Sequence, residues 1–94
     1  MNRTELTKAL ARRSGLSKAD AALAVEALFD PRSGVIARAL RRQRTVRITG
    51  FGTFVPHRRE ARLGRNPRTG ESIRIPAGTR ISFRPGKPLR ETLG

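Results

Sequence analysis

The residues best equipped for chemistry in this chain are arginines. Six of them, Arg58, Arg59, Arg62, Arg65, Arg68 and Arg74, fall in the segment 57–75, which reads HRREARLGRNPRTGESIRI and sets only Glu60 and Glu71 against them. A guanidinium is a planar fork of donors that matches phosphate oxygens and base edges, so the segment is suited to holding a polyanion rather than to making bonds. Base composition in a GC-rich genome accounts equally well for the use of arginine in 18 of 21 cations. The 94 residues carry a net charge of +14, which points to nucleic acid first and to an anionic membrane surface second. The surplus is uneven. Residues 1–40 hold seven cations and four anions, whereas residues 41–94 hold fourteen cations and three anions, so the second half carries +11.

Other chemistries find few ligands. There is no Cys and a single His, His57, which leaves no disulfide framework, no thiolate or His-based metal site and no cysteine nucleophile. Three scattered Glu in the basic half form no catalytic constellation, so neither an enzyme nor a cofactor is expected. No apolar run approaches the roughly 18 residues that span a bilayer, and MNRTELTKAL lacks the apolar core of a signal peptide, so the expectation is a soluble intracellular protein with no small-molecule substrate.

The elements that must position the arginines can be read from periodicity. Asn2 or Thr4 caps a first helix, with Glu5 in capping-box spacing from Asn2, and Gly15 stops it. Ser17 and Asp20 open a second helix whose face of Ala21, Ala22, Val25, Leu28 and Phe29 needs a cover. Asp30-Pro31 breaks that helix. After Gly34 the pattern resumes, with Val35, Ile36, Ala39 and Leu40 on one side and Arg38, Arg41 and Arg42 on the other, a stripe that reads most simply as a solvated face. From Thr45 the period changes to two: Thr45–Ile48, a turn at Gly50-Phe51-Gly52 and a strand returning from Thr53 form a hairpin. Pro56 and Gly64 favour edge or bulged positions. Around the turn-forming Arg65–Gly70, the flanks are compatible either with a projecting β-ribbon or with a disordered basic loop. Thr79–Phe83 reads as a further strand, and Pro85 as the opening of a short helix through Leu89 and Leu93. Phe51, Phe54 and Phe83 read as core, with base stacking the alternative. A chain this small, 36% hydrophobic, has a thin core of its own, so a second chain is expected to complete it.

The blocks MNRTELTKAL, SGLSKADA, GFGTF, GRNPRTGE, IPAGT and FRPGKPLR resemble, in order and spacing from Met1 to about Leu93, the bacterial HU and integration host factor family of DNA-bending proteins. The resemblance implies an α+β fold and an intertwined homodimer with a helical base. Each chain would supply a three-stranded antiparallel sheet and a protruding β-ribbon arm. It implies one domain over 1–94, with 1–43 helical and dimerising, 44–84 forming the sheet with its arm at about 57–76, and 85–94 the last helix. It further implies a double-stranded DNA partner, a cytoplasmic, nucleoid location, and a homodimer, with a heterodimer of related chains also open.

Through the resemblance, the site residues take roles. Arg58, Arg59, Arg62, Arg65, Arg68 and Arg74 lie along the arm, where alternation of faces turns some toward the minor groove and leaves others beside phosphates. Asn66 is placed to bond base acceptors. Pro67 at the tip is the expected wedge between base pairs, with a simple turn role as the alternative. Unstacking costs roughly a few kcal/mol per step, a property of wedge-inserting architectural proteins, this family among them. Arg84, Lys87 and Arg90 match the family's phosphate-contacting last strand and helix, with free N–H groups near Gly86 and Lys87 as added donors. Arg47 and Arg80 extend a basic sheet face, and His57 is a phosphate neighbour or a bystander. The chain departs from the family pattern in three places: an apparent four-residue insertion at Pro31–Gly34, Gln43 where a helix-ending glycine is usual, and Arg74 where the arm is often acidic or neutral. The implied function is architectural binding and bending of duplex DNA with little sequence preference; a sequence-specific bender and an RNA-binding basic protein are the alternatives.

Overall fold

The first helix begins where Asn2 closes it. In a computed structural model that describes residues 1–94, α1 runs Arg3–Ser14, and Asn2 Oδ1 accepts from the Glu5 N–H at 2.8 Å, which assigns the cap to Asn2 and puts Thr4 inside the helix. Gly15 ends it at φ 79, donating its N–H to Ala11, a left-handed closure that an L side chain would strain. Ser17 caps α2, Lys18–Phe29, through the Asp20 N–H at 3.1 Å. Of the apolar face expected on α2, only Ala21 and Val25 are fully buried, while Leu28 and Phe29 stay 43% and 47% exposed.

Helix α2 ends at Asp30, as the proline after it requires. The Asp30 carboxylate accepts from the Arg32 N–H, the Ser33 N–H and the Ser33 hydroxyl at 3.0, 2.8 and 2.9 Å. Those bonds, the Ser33 amide foremost, hold its pKa below the ordinary 3.8. Buried Gly34 donates to the Asp30 carbonyl, and a β-carbon there would lie 2.6 Å from that oxygen. The Pro31–Gly34 segment is thus a closed turn between α2 and α3, Val35–Arg41.

Gln43, at the position where a helix-ending glycine is usual, keeps the glycine-like geometry. Gln43 sits at φ 60, its N–H bonded to Leu40, and its amide donates to Thr79 Oγ1 at 2.8 Å. The side-chain bond offsets part of the left-handed strain.

Five strands follow: β1 Val46–Ile48, β2 Gly52–Arg59, β3 Arg62–Arg65, β4 Ser72–Ile75 and β5 Gly78–Pro85. They form two antiparallel sheets, one ordered β1-β2-β5 and the other β3-β4. Pro56 lies in the middle strand, yet β1 begins opposite Phe54 and reaches no farther, so only β5 pairs with Pro56. Its missing N–H is tolerated at what is locally an edge. The β1–β2 turn places Gly50 at φ 83, and Phe51 N–H bonds the Ile48 carbonyl.

The last helix, α4 Lys87–Thr92, corrects the expectation at Pro85. Pro85 closes β5, Gly86 is the N-cap, and the helix proline is Pro88 in the first turn. A proline fits there because the first-turn N–H has no intrahelical partner. The chain as a whole forms two compact units, Met1–Ala39 and Leu40–Gly94.

Candidate nucleic-acid interface

Strand alternation sorts the three-stranded sheet into two unlike faces. Register pairs Val46 with Phe54 and Phe54 with Phe83, and the same face carries Ile48, Gly52, Pro56, Ile81 and Pro85. The Phe54 and Phe83 rings are 4.9 Å apart and the Phe51 and Phe83 rings 5.9 Å, both tilted. Such pairs favour packing with one another, although Phe51 and Phe83 remain 48% and 41% exposed in the single chain.

The opposite face is basic. Arg47, Thr53 and Arg84 form one row across the sheet, Val55 faces Ser82, His57 faces Arg80, and Arg59 faces Gly78. No acidic residue occurs between Asp30 and Glu60 or between Glu71 and Glu91, so the four guanidiniums meet no carboxylate on the face they share. Gly78 gives the Arg59 side chain passage, since a β-carbon there would meet its guanidinium at 3.2 Å. Arg47 and Arg80 therefore belong with Arg59 and Arg84. The even spacing of Arg80 from Arg84 within one strand was the signal available in the sequence, but joining them to Arg47 and Arg59 required the register. Arg58 pairs with Thr79 and projects to the other face, so neighbours Arg58 and Arg59 do not share a surface. His57 Nε2 is 2.8 Å from Ser82 Oγ.

Beyond Arg59 the ladder stops and restarts. Glu60-Ala61 and Pro76-Ala77 separate the body sheet from β3–β4, so the expected ribbon 57–76 consists of the end of the body sheet, a break, and a separate two-stranded arm. Proline cannot donate to the ladder and interrupts it. In the arm, Arg65 and Arg74 share a face with Leu63 and Ser72; Arg62 shares the other with Gly64, Ile73 and Ile75. Ile75 leans onto Gly64, where a β-carbon would meet its Cδ1 at 2.9 Å. The three arginines on the arm strands thus divide between its two faces, as Arg58 and Arg59 do between the faces of the body sheet.

The arm tip is a closed turn. The Asn66 N–H donates to Glu71 O and its carbonyl accepts from Gly70, each at 2.8 Å, while Gly70 takes φ 74. Asn66 Oδ1 accepts from the Arg68 N–H at 2.9 Å, which leaves its NH₂ as the group to meet an external acceptor. Pro67 and Arg68 follow exposed at the outermost point. The turn role and the presentation of Pro67 coincide.

At the other end, Gly86 N–H donates to the Phe51 carbonyl at 2.8 Å. That bond docks the hairpin turn on α4 but removes Gly86 from the donors expected for phosphate, and Pro88 supplies none. Lys87 lies beside the cleft that Arg47, Thr53 and Arg84 line. Its ion pair with Glu91 spans 3.9 Å with both side chains mostly exposed, and such a pair is worth about 0.3–0.5 kcal/mol. So weak a pair leaves the Lys87 ammonium open to other anions. Arg90 is exposed on the same helix. No group of three or more His, Cys, Asp or Glu gathers in a metal-binding cluster, and no helix is long and apolar enough to cross a membrane.

Comparison with known proteins gives a consistent set of matches. Residues 1–94 match the model of the family described as bacterial DNA-binding protein. The chain is 50% identical over 93 residues to DNA-binding protein HU of Geobacillus stearothermophilus, covering 99% of each chain. To DNA-binding protein HU 1 of Bacillus subtilis it is 46% identical, over 99% of this chain and 97% of that one. Among solved structures, it matches an Anabaena HU–DNA cocrystal structure with a TM-score of 0.79 at 35% identity, covering 100% of this chain and 98% of that one. A solution structure of a mutant of transcription factor 1 matches with a TM-score of 0.65 at 32% identity, covering 98% and 89%.

Proposed function

The chain belongs to the bacterial DNA-binding protein family, and we propose that it is an architectural, nucleoid-associated protein that binds duplex DNA through the minor groove with little sequence preference and bends or compacts it. The observation that carries this reading is the acid-free sheet face of Arg47, Arg59, Arg80 and Arg84, continued outward by an arm whose tip presents Pro67. Relatives named as DNA-binding HU proteins and a solved relative bound to DNA support it.

In this mechanism Arg84, Lys87 and Arg90, with Arg47 and Arg80, hold phosphates against the body. Arg59 joins them at the end of the body sheet, and Arg62, Arg65, Arg68 and Arg74, with Arg58 at the base of the arm, follow the duplex. The narrow groove's negative potential favours the planar cation, while its degenerate acceptor pattern gives little base discrimination. Asn66 offers its NH₂ to groove acceptors, and Pro67 enters a base step as a rigid apolar ring that forfeits little entropy and needs no hydrogen bond. Bending is repaid by the added contacts. Residues 1–94 act as one domain, and a second copy covers the half-exposed Leu28, Phe29, Phe51 and Phe83, which supplies the core a single chain lacks. No catalytic role is assigned.

Salt dependence tests the reading. With roughly 6 to 10 phosphates neutralised, affinity for duplex DNA falls about 10³- to 10⁵-fold between 50 and 200 mM salt, alike on unrelated sequences. A flat response overturns it. A large preference for one duplex sequence, or for duplex RNA, replaces it with a specific or an RNA-binding role.

A further inference from the structure

The one histidine of the chain lies on the basic sheet face. His57 lies directly opposite Arg80, with Arg59 two residues on along its own strand and Ser82 on the same face, and its Nε2 is 2.8 Å from Ser82 Oγ. It also borders an open cleft of about 540 Å³ at the break between body sheet and arm, lined by Arg58, Arg59, Glu60, Ala61, Arg62 and Arg80. The charged groups lining that cleft are four guanidiniums and one carboxylate, and of these Arg59 and Arg80 share the ring's own face. Imidazole is the side chain whose charge changes between about pH 5 and 8.

We infer that DNA binding by this chain takes up a proton at His57, which turns the imidazole into a phosphate contact. The inference rests on the reading of the basic face as the DNA surface. A phosphodiester laid against Arg59 and Arg80 brings negative charge within reach of the ring between them, and negative charge nearby favours the imidazolium. The bond to Ser82 is compatible with both states, since a hydroxyl donates to a bare ring nitrogen and accepts from a protonated one. The proton released to His57 comes from the buffer, and no covalent bond changes. An arginine here would be charged at all pH values; histidine makes one contact conditional. By linkage, a proton taken up on binding strengthens association as pH falls.

The test is isothermal titration of the full chain into a duplex of about 20–30 base pairs at constant ionic strength, in buffers of low and high ionisation enthalpy. The expected result is an apparent enthalpy that depends on the buffer, corresponding to a fraction of a proton approaching one per chain. Affinity should rise about three- to tenfold per chain between pH 8 and 6. In His57→Asn the proton uptake is lost and DNA binding retained; in His57→Arg binding is tighter and its pH response flat. Every other ionisable group of the chain is unchanged in both variants. Buffer-independent enthalpy in the wild type, which needs no variant to fold, overturns the inference, as does an equal pH response in His57→Asn. Absence of DNA binding at every pH overturns the functional reading itself, and the inference with it.

Discussion

The ring of Phe83 roofs the α-carbon of Gly52. A β-carbon at Gly52 would penetrate that ring and come within 2.8 Å of the Arg84 carbonyl, and Phe83 in turn packs on Phe54 and Phe51. Glycine at this position is therefore a condition for closing the apolar face of the sheet, and through it the strand that bears Arg84.

Gly52→Ala is expected to destabilise the protein by about 1–3 kcal/mol, because an added carbon in a filled site forces neighbouring side chains out of their rotamers. Urea unfolding checks this through a lowered midpoint at unchanged slope. An unaltered midpoint would show that the Phe83 ring moves aside freely.

Pro67→Ala is expected to reduce DNA bending more than affinity at low salt. Phosphate contacts survive the substitution, while the rigid ring at the tip is lost. Energy transfer between dyes at the two ends of a duplex measures the bend, and an unchanged bend assigns Pro67 to the turn alone.

Arg65→Ala is expected to weaken binding on most sequences alike and to lower the magnitude of the salt slope by about 1, the signature of one lost phosphate contact. A loss confined to certain sequences would identify Arg65 as a reader of base edges.

The Asp30 carboxylate gives the turn at Pro31–Gly34 a pH dependence of defined sign. Its folded pKa lies below the ordinary 3.8, through the Ser33 and Arg32 amides. The stabilisation is fully present above the ordinary value and is lost as pH falls through the lowered folded one. Asp30→Asn should flatten that acid limb of the stability profile in thermal unfolding from pH 5 to 2, while an identical limb would show that the turn is closed without the charge.

The unfolding temperature is expected to rise with protein concentration. Only Ala21 and Val25 are fully buried apolar residues in the single chain, and folding that depends on a second copy follows mass action. A monomer that stays folded on dilution contradicts the shared core.

Much of this protein is legible in its residues. Caps at Asn2 and Ser17, stops at Gly15 and Asp30-Pro31, and the hairpin after Thr45 are local events, decided by hydrogen bonds and dihedral limits within a few residues. The charge of the second half and the order of its motifs likewise point to the family and to a polyanion. Register is different, because it depends on strands far apart in the chain. Only pairing places Arg47, Arg59, Arg80 and Arg84 together, separates Arg58 from Arg59 and Arg62 from Arg65, and sets His57 against Arg80 and Ser82. The same holds for Gln43, whose left-handed backbone is accompanied by a bond to Thr79, 36 residues away. It holds too for Gly86, whose N–H is taken by Phe51 across the fold. Composition pointed to a polyanionic partner, since charge is additive over residues. Tertiary structure decided which cations act on one surface, since a single step along a strand turns a side chain to the opposite face.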